Sequence, residues 1–307
     1  MKLLKELTAL RGASGDESRI KEFVINYVKQ AQENWKSIPT IIEGDLFQDC
    51  VVLIFGQPKT AIYAHMDSIG FTVGYEKELI KIGGPRIIEG TALVGSDSIG
   101  EIETELMIIE HDSGDRSIQY VYDRTIERGT NLTFQPNFRE TDTFVQSPYL
   151  DNRLGMWNAL KVAETLEHGA IVFSTYEEHG GNSVSFCAKY LLDHYQVRQA
   201  LISDITWVTN GVIHGGGVAI SMRDSWIPRK VYLNKIIKLA QQSGVQFQLE
   251  VESAGGSDGT ALQKSHLPID WCFIGAPEDN VHTPDEKVYK SDIIAMVELY
   301  RFLMVHL

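Results

Sequence analysis

Five side chains that can bind a metal ion stand where predicted strands and helices begin or end. They are two imidazoles and three carboxylates: His65, Asp151, Glu178, Asp204 and His282. In an open α/β sheet, ligands bind in the crevice at the carboxyl ends of the strands. Imidazole and carboxylate groups recur at these ends, and this recurrence predicts a metal site more strongly than any single residue does.

Each of these residues also has an ordinary structural interpretation. A lone histidine is more often a core or loop residue, but Asp67 lies two positions after His65 and points to the same face of an extended segment. Asp67 can therefore reach the second ring nitrogen and fix the orientation of the imidazole. Asp151 equally fits a helix N-cap, and Asp204 fits a turn. Asp258, in a glycine-rich segment, fits a cap or a loop better than a metal ligand.

The adjacent carboxylates Glu177 and Glu178 allow three interpretations. They can form a solvated pair in a loop, or the carboxylate pair of a glycosidase. Neighbours on a strand point to opposite faces, but Gly180 and Gly181 indicate that the strand has ended, so the two carboxylates can converge. One of them can then bind a metal while its neighbour accepts a proton from the metal-bound water. The residues alone leave open which glutamate has which role.

The donor types restrict the metal. Nitrogen and oxygen donors suit zinc, cobalt or manganese and argue against an iron–sulfur or thiolate site. Five donor side chains with one bridging carboxylate suit two divalent ions about 3.5–4 Å apart. The three cysteines, Cys50, Cys187 and Cys272, are widely spaced without a CxxC pair, and we expect them to be reduced and buried.

These residues need a scaffold, and apolar runs alternate with helical patterns over most of the chain. Predicted strands, typical of a sheet covered by helices on both faces, are Val51–Phe55, Ala61–Ala64, Ala170–Phe173, Ala200–Ser203, Phe247–Val251 and Trp271–Ile274. Between residues 72 and 146 strands and turns dominate instead. The sequence predicts a catalytic α/β domain of residues 1–71 and 147–307, interrupted by a β-rich domain of residues 72–146. Ser14 and Glu17 predict a capping box at the start of the second helix.

Composition excludes several classes of protein. The formal net charge is -13 over 307 residues, so the chain lacks the basic excess that a nucleic-acid partner requires. An acidic surface favours cationic ligands such as amines. No apolar stretch reaches the ~18 residues of a membrane span, and no signal peptide is apparent. We expect a soluble cytoplasmic protein with neither membrane nor nucleic acid as partner.

Six segments together resemble the M42 family of metallo-aminopeptidases, the glutamyl-aminopeptidase and tetrahedral-aminopeptidase group. They occur in family order and span nearly the whole chain: Ala64–Phe71, Leu150–Gly155, Tyr176–Glu178, Ser203–Thr206, Gly255–Asp258 and His282–Glu286. The resemblance implies a zinc-exopeptidase-like fold, namely a mixed sheet sandwiched by helices, with a small barrel-like domain inserted. It also implies a homo-oligomer, either a dimer or a large tetrahedral assembly.

The resemblance also divides the site residues by role. His65 and Asp204 would bind one metal, Glu178 and His282 the other, and Asp151 would bridge them. Glu177 would be the general base on the metal-bridging water, and Asp67 would orient His65. The expected pair of divalent ions is zinc, with cobalt or manganese as alternatives.

The predicted function is hydrolysis of the N-terminal peptide bond of peptides with a free N-terminus. One alternative is another amidohydrolase of the same clan, a deacetylase or a carboxypeptidase. Others are a glycoside hydrolase of the endoglucanase type and a metal-bound scaffold without activity. We expect the residues of the substrate pocket around Gly215–Gly217 and in the β-rich insert.

Overall fold

The computed structural model describes residues 1–181 and 183–307. Within these ranges the chain forms seven α-helices and seventeen β-strands. The helices are α1 Lys2–Thr8, α2 Ser18–Ala31, α3 Leu150–Ala163, α4 Ser183–Tyr195, α5 Lys230–Ser243, α6 Asp258–Lys264 and α7 Lys290–His306. The strands are β1 Thr40–Ile42, β2 Val51–Phe55, β3 Thr60–His65, β4 Gly70–Val73, β5 Leu79–Ile82, β6 Ala92–Asp97, β7 Gly100–Glu110, β8 Arg116–Val121, β9 Asn131–Phe134, β10 Arg139–Glu140, β11 Phe144–Gln146, β12 Gly169–Ser174, β13 Gln199–Trp207, β14 Val218–Arg223, β15 Phe247–Val251, β16 Asp270–Asp279 and β17 Lys287–Tyr289.

The larger sheet has eleven strands and a parallel centre. Nine strands follow the order β1-β2-β12-β3-β13-β16-β17-β11-β10, and β14 pairs with both β15 and β16. Strands β12, β3, β13 and β16 are parallel to their neighbours within this central group, and β14 is parallel to β15. The central strands therefore end at one edge of the sheet, and their carboxyl ends lie side by side.

Helices cover both faces of this sheet, as the alternation along β2 illustrates. Val51, Leu53 and Phe55 pack in a core with residues of α1, α2, α3, α5 and α7. Val52 and Ile54 point to the opposite face and pack with residues of α4 and α6. All five residues of β2 are buried because helices cover both faces of the sheet. The predicted mixed sheet sandwiched by helices is confirmed.

A smaller, nearly closed sheet holds six strands in the order β5-β4-β9-β6-β7-β8. A bridge between Glu78 and Gln119 brings its first and last strands together. Its interior is a separate core that includes Phe71, Leu93 and Tyr120. This barrel-like sheet confirms the small β-rich domain that the sequence predicts. Strand β10 pairs with β11, and β11 pairs with β17 of the larger sheet. The division at residues 72–146 stays a prediction.

The capping box predicted at the start of α2 is wrong. Helix α2 begins after Glu17, which makes no side-chain capping bond, because Ser14 Oγ donates to Asp67 Oδ2 at 2.6 Å instead. The capping box predicted from Ser14 and Glu17 is therefore absent.

The three cysteines are free and buried, as predicted. Within residues 1–181 and 183–307, every helix is too short or too polar to span a bilayer.

Candidate metal centre

The parallel strands deliver the predicted donors to one edge of the larger sheet. His65 is the last residue of β3 and pairs with Ser174, the last residue of β12. The Glu177–Glu178 segment follows β12 as a short 3₁₀ turn, with Tyr176 before it in a left-handed conformation. Asp204 lies inside β13, since this strand continues to Trp207. All these strands point the same way, so residues distant in sequence meet at their ends.

The first donor cluster consists of His65, Asp151 and Asp204, whose ligand atoms lie within 4.8 Å of one another. His65 Nε2 is 3.2 Å from Asp151 Oδ1 and 3.6 Å from Asp204 Oδ2. The imidazole is buried, with 1% of its side chain exposed. These three groups therefore converge on one point.

The second cluster consists of Asp151, Glu178 and His282, again within 4.8 Å. His282 Nε2 is 3.3 Å from Asp151 Oδ2 and 3.3 Å from Glu178 Oε2. The other carboxylate oxygen, Glu178 Oε1, is buried and has no hydrogen-bond partner in the described part of the chain. Asp151 thus turns one oxygen toward each histidine, as a bridging carboxylate does.

Asp151 reaches this position through an irregular helix start. Asp151 and Asn152 have non-helical backbone angles, and the cap position of α3 is Tyr149 without a side-chain capping bond. The N-cap interpretation of Asp151 is therefore wrong. Asn152 Nδ2 donates to Ser203 O at 2.9 Å, which fastens the helix start to β13, and the Asp151 carboxylate points into the space between the histidines.

Asp67 contacts more of the site than the sequence indicated. Its carboxylate lies 3.4 Å from His65 Nδ1, and the same ring nitrogen lies 3.2 Å from the Asp67 carbonyl oxygen. The carboxylate also accepts the backbone N–H groups of Glu177 and Glu178, each at 3.0 Å. Asp67 therefore contacts both the imidazole and the turn that carries the paired glutamates.

Two contributors to the site escaped the sequence analysis. Glu286 is fully buried and accepts the backbone N–H groups of His282, at 3.0 Å, and Asp151, at 3.2 Å. The Gly84 carbonyl lies 3.1 Å from His282 Nδ1, so a proton on Nδ1 leaves Nε2 free to face the carboxylates. The only sequence signal for Glu286 was its place in the segment His282–Glu286, and Gly84 gave none because it acts through its backbone.

The glycine turn before β6 approaches the site closely. Gly83 has a φ of +66°, and a Cβ atom there would lie 3.1 Å from the backbone oxygen of Glu178. A left-handed conformation and this close approach both favour glycine. The smaller sheet thus contributes backbone, through Gly83 and Gly84, to the wall of the candidate metal centre.

Burial sets the electrostatics of the carboxylates. It raises the pKa of Glu177 and of Asp204 well above the usual carboxyl range, and it raises the pKa of Glu178, with the charge of Asp151 adding to the effect. Asp151 differs, because its bonds to His282 and His65 outweigh burial and lower its pKa. The site concentrates negative charge where solvent screens it poorly.

The two imidazoles respond to that charge. Burial lowers the pKa of His282, but the Asp151 and Glu178 carboxylates outweigh this effect and raise the pKa to about 11. Burial likewise opposes a charge on His65, and Asp204 and Asp151 raise its pKa well above the usual value. Both ring Nε2 atoms face the carboxylate clusters, so divalent cations bound there would compete with protons for the two imidazoles.

Other residues singled out in the sequence lie outside the two clusters. Asp258 begins α6 behind the cap Ser257 and accepts a 2.5 Å bond from Ser174 Oγ. The backbone N–H groups of Gly215 and Gly217 bind the Asp292 carboxylate. The cavity at the metal centre has Gly84 from the insert in its wall but none of residues 215–217, so the expectation of a pocket around them is wrong: their N–H groups are directed toward α7.

An α/β sheet that gathers two imidazoles and three carboxylates at one edge fits the class of metal-dependent hydrolases. A model of the M42 glutamyl aminopeptidase family matches residues 95–299, which is more than half of the 307 residues. The chain therefore belongs to the M42 family and is a peptide-bond hydrolase of the aminopeptidase type. The resemblance drawn from six sequence segments is confirmed.

Individual relatives cover all or nearly all of the chain. A protein of Acetivibrio thermocellus named "Putative aminopeptidase" is 26% identical over 333 residues, covering 97% of this chain and 96% of its own. The structure of an aminopeptidase from the archaeon Desulfurococcus kamchatkensis superposes with a TM-score of 0.86 at 21% identity, covering 100% of this chain and 94% of its own. The TET1 peptidase of Pyrococcus horikoshii gives 0.80 at 21% identity and 98% coverage of both chains.

Proposed function

We propose that the chain is an aminopeptidase that works with two divalent metal ions and uses Glu177 as its general base. The observation that carries this proposal is the position of Asp151 between two donor clusters. Its two oxygens face different histidines, at 3.2 Å from His65 and 3.3 Å from His282. One carboxylate shared by two sets of donors suits a pair of cations.

The residues present fit such ions. Each cluster offers one imidazole nitrogen and two carboxylates, including the shared Asp151. The unpartnered Glu178 Oε1 is a buried oxygen that a cation would satisfy. His65 and Asp204 would hold one ion, Glu178 and His282 the other, and Asp151 both. Nitrogen and oxygen donors suit zinc, cobalt or manganese, and zinc is our first choice.

When bound, the cations would polarise the scissile carbonyl and lower the pKa of water at the site. Glu177 supplies the proton transfer. Its Oε2 lies 3.9 Å from His65 Nε2, and it belongs to neither donor cluster. Burial raises its pKa well above the usual range, which increases the proton affinity of Oε2. Glu177 can therefore accept a proton from water and pass it to the leaving amine.

Replacement of each neighbouring glutamate tests this assignment. In Glu177→Gln we expect metal content equal to that of the wild type and a loss of kcat of about 10²–10⁴-fold, the usual range for general acid–base catalysis. In Glu178→Gln we expect weaker metal binding, because one cluster loses a carboxylate. Metal content is measured by mass spectrometry, and turnover with aminoacyl p-nitroanilides after zinc or cobalt loading. Turnover that survives in Glu177→Gln would show that another group is the base.

Substrate class and assembly follow the same proposal. Peptides with a free N-terminus should be cleaved, and N-acetylated ones should not, which separates an aminopeptidase from a deacetylase or carboxypeptidase. A glycosidase mechanism needs no metal, so loss of activity with a chelator separates that class. The Pyrococcus relative is described as assembling into a tetrahedron or a large octahedral shell, which supports a homo-oligomer here. A cytoplasmic location stays a prediction.

A further inference from the structure

A cavity of about 260 Å³ adjoins the two donor clusters and extends beyond them. Its wall includes all five candidate ligands and Glu177. Six further residues of the wall are Thr206, Trp207, Asp224, Glu250, Glu252 and Phe273. Three of these six are acidic, and all six lie on or directly after β13, β14, β15 and β16. The cavity therefore joins the candidate reaction centre to a second group of carboxylates.

Strand pairing brings these carboxylates together. Strands β14 and β15 are parallel, with Ser221 opposite Glu250, and their register shifts between Ser221 and Arg223. A shift of this kind changes the direction of the following side chain, and Asp224 comes next in the chain. Glu252 follows β15 directly. Two parallel strand ends thus place three acidic residues on one cavity wall.

Two of the three acidic residues are deeply buried. Asp224 and Glu250 are 8% and 3% exposed. Asp224 Oδ1 accepts the Trp226 N–H at 2.6 Å. Arg223 donates through Nε to the carbonyl oxygen of Asp224. Burial raises the pKa of the Asp224 carboxyl, and the positive charge of Arg223 offsets this effect only in part. A buried carboxylate is costly to ionise, and a cation bound beside it reduces that cost, so this wall is complementary to a ligand that carries a positive charge.

The rest of the wall suits a long alkyl chain. Phe273 and Ile205 are buried apolar residues, and Trp207 is 40% exposed. Lysine and arginine side chains pack their methylene stems on apolar surface while the charged end meets polar groups. Thr206 Oγ1 donates to Glu250 Oε1, which fixes the orientation of that carboxylate. The cavity thus combines apolar walls with fixed acceptors for a cation.

We propose that this cavity holds the side chain of the substrate's N-terminal residue and selects lysine or arginine. The inference rests on the proposed function, since the cavity lies beside the centre that would cleave the peptide bond. Asp224, Glu250 and Glu252 are the specificity-determining residues. A glutamyl substrate, which the name of the family suggests, would bring a fourth negative charge to this wall and is disfavoured by repulsion.

Lysine and norleucine p-nitroanilides test the proposal, because norleucine has the straight stem of lysine without the ammonium group. We expect kcat/KM to be about 10- to 100-fold higher for lysine, the usual contribution of hydrogen bonds to a charged group, and lowest for glutamate. In Asp224→Asn the ratio of lysine to norleucine should fall toward one. Glu252→Gln should reduce it as well, and serves if Asp224→Asn fails to fold. Glu298→Gln, an exposed substitution on α7, should leave the ratio unchanged.

A binding measurement separates this inference from the proposed function. Calorimetry with metal-loaded wild-type enzyme should give a Kd at least about tenfold lower for lysinamide than for norleucinamide. Equal binding and equal turnover of the two would overturn the pocket assignment and leave the aminopeptidase proposal standing. Absence of turnover with every aminoacyl anilide, together with preferential binding of lysinamide, would overturn the function and leave the cationic pocket standing.

Discussion

The substitution Asp67→Asn tests whether one carboxylate positions both halves of the catalytic centre. Each oxygen of Asp67 accepts one backbone N–H, from Glu177 and from Glu178, both at 3.0 Å. Its Oδ1 also lies 3.4 Å from His65 Nδ1. Asparagine keeps the shape but replaces one acceptor with an NH₂ donor, which would face a backbone N–H. At least one of these bonds must therefore be lost.

The structure sets the size of the expected effect. A hydrogen bond to a charged group contributes about 1.5–3 kcal/mol, and about 1.4 kcal/mol corresponds to a factor of ten. Loss of one bond at the turn should therefore reduce kcat about 10- to 100-fold. Metal affinity should fall by a similar factor, because the partners that orient a ligating histidine usually contribute that much.

The assay compares kcat at saturating metal with the metal Kd from competition against a chelator. Ser14→Ala is the matched control, since it removes the 2.6 Å bond from Ser14 Oγ to Asp67 Oδ2 and leaves both N–H bonds in place. We expect Ser14→Ala to change kcat much less than Asp67→Asn does, because Asp67 keeps both acceptor oxygens for the backbone N–H groups of Glu177 and Glu178. If Asp67→Asn keeps wild-type kcat and metal affinity, the positioning argument is refuted.

Two further predictions concern stability and the glycine turn. Glu17 is 1% exposed, and burial raises its pKa from 4.5 to about 7. The folded chain therefore binds its proton more tightly than the unfolded chain, and stability from this group is lost as the pH rises from about 4.5 to 7. Urea titration gives the difference in free energy of unfolding between Glu17→Gln and wild type at each pH. From pH 5 to pH 8 this difference should shift by about 2–3 kcal/mol in favour of the variant. A difference that does not change with pH would contradict this. Gly83→Ala should reduce kcat, because its Cβ would contact Glu178. The control Gly90→Ala is also at positive φ but in open space, so it should cost about 1 kcal/mol of stability and leave kcat unchanged. Equal effects of the two substitutions on kcat would contradict the contact argument.

The donor residues of the site were predictable because they lie at or near the ends of strands. His65 and Glu178 follow buried apolar runs, and such runs become neighbouring parallel strands when helices connect them. Asp204 follows the same logic, although its strand continues to Trp207. The short local pattern and the direction of the strands together determine where these side chains meet, so no long-range information was required to expect a cluster.

Contacts between segments that are distant in sequence were not predictable in this way. Ser14 and Glu17 match a capping pattern, yet Ser14 binds Asp67 from a distant part of the sequence, because a buried carboxylate competes for the same hydroxyl. Glu286 acts by accepting N–H groups, and Gly84 acts through its carbonyl oxygen. Neither interaction depends on a periodic pattern or on a local spacing, and both arise only after the loops have folded against the sheet.

The acidic pocket wall marks the limit of the sequence argument more sharply. Glu250 and Glu252 alternate along a strand that has intermediate or exposed neighbours, such as Leu249 and Val251. This pattern equally describes an edge strand with one solvated face. Pairing with β14 and the shift after Ser221 turn these charges toward the catalytic centre. The reaction type thus follows from residues at strand ends, whereas the choice of substrate depends on strand register. Relatives with the same donors can therefore differ in the N-terminal residue they remove.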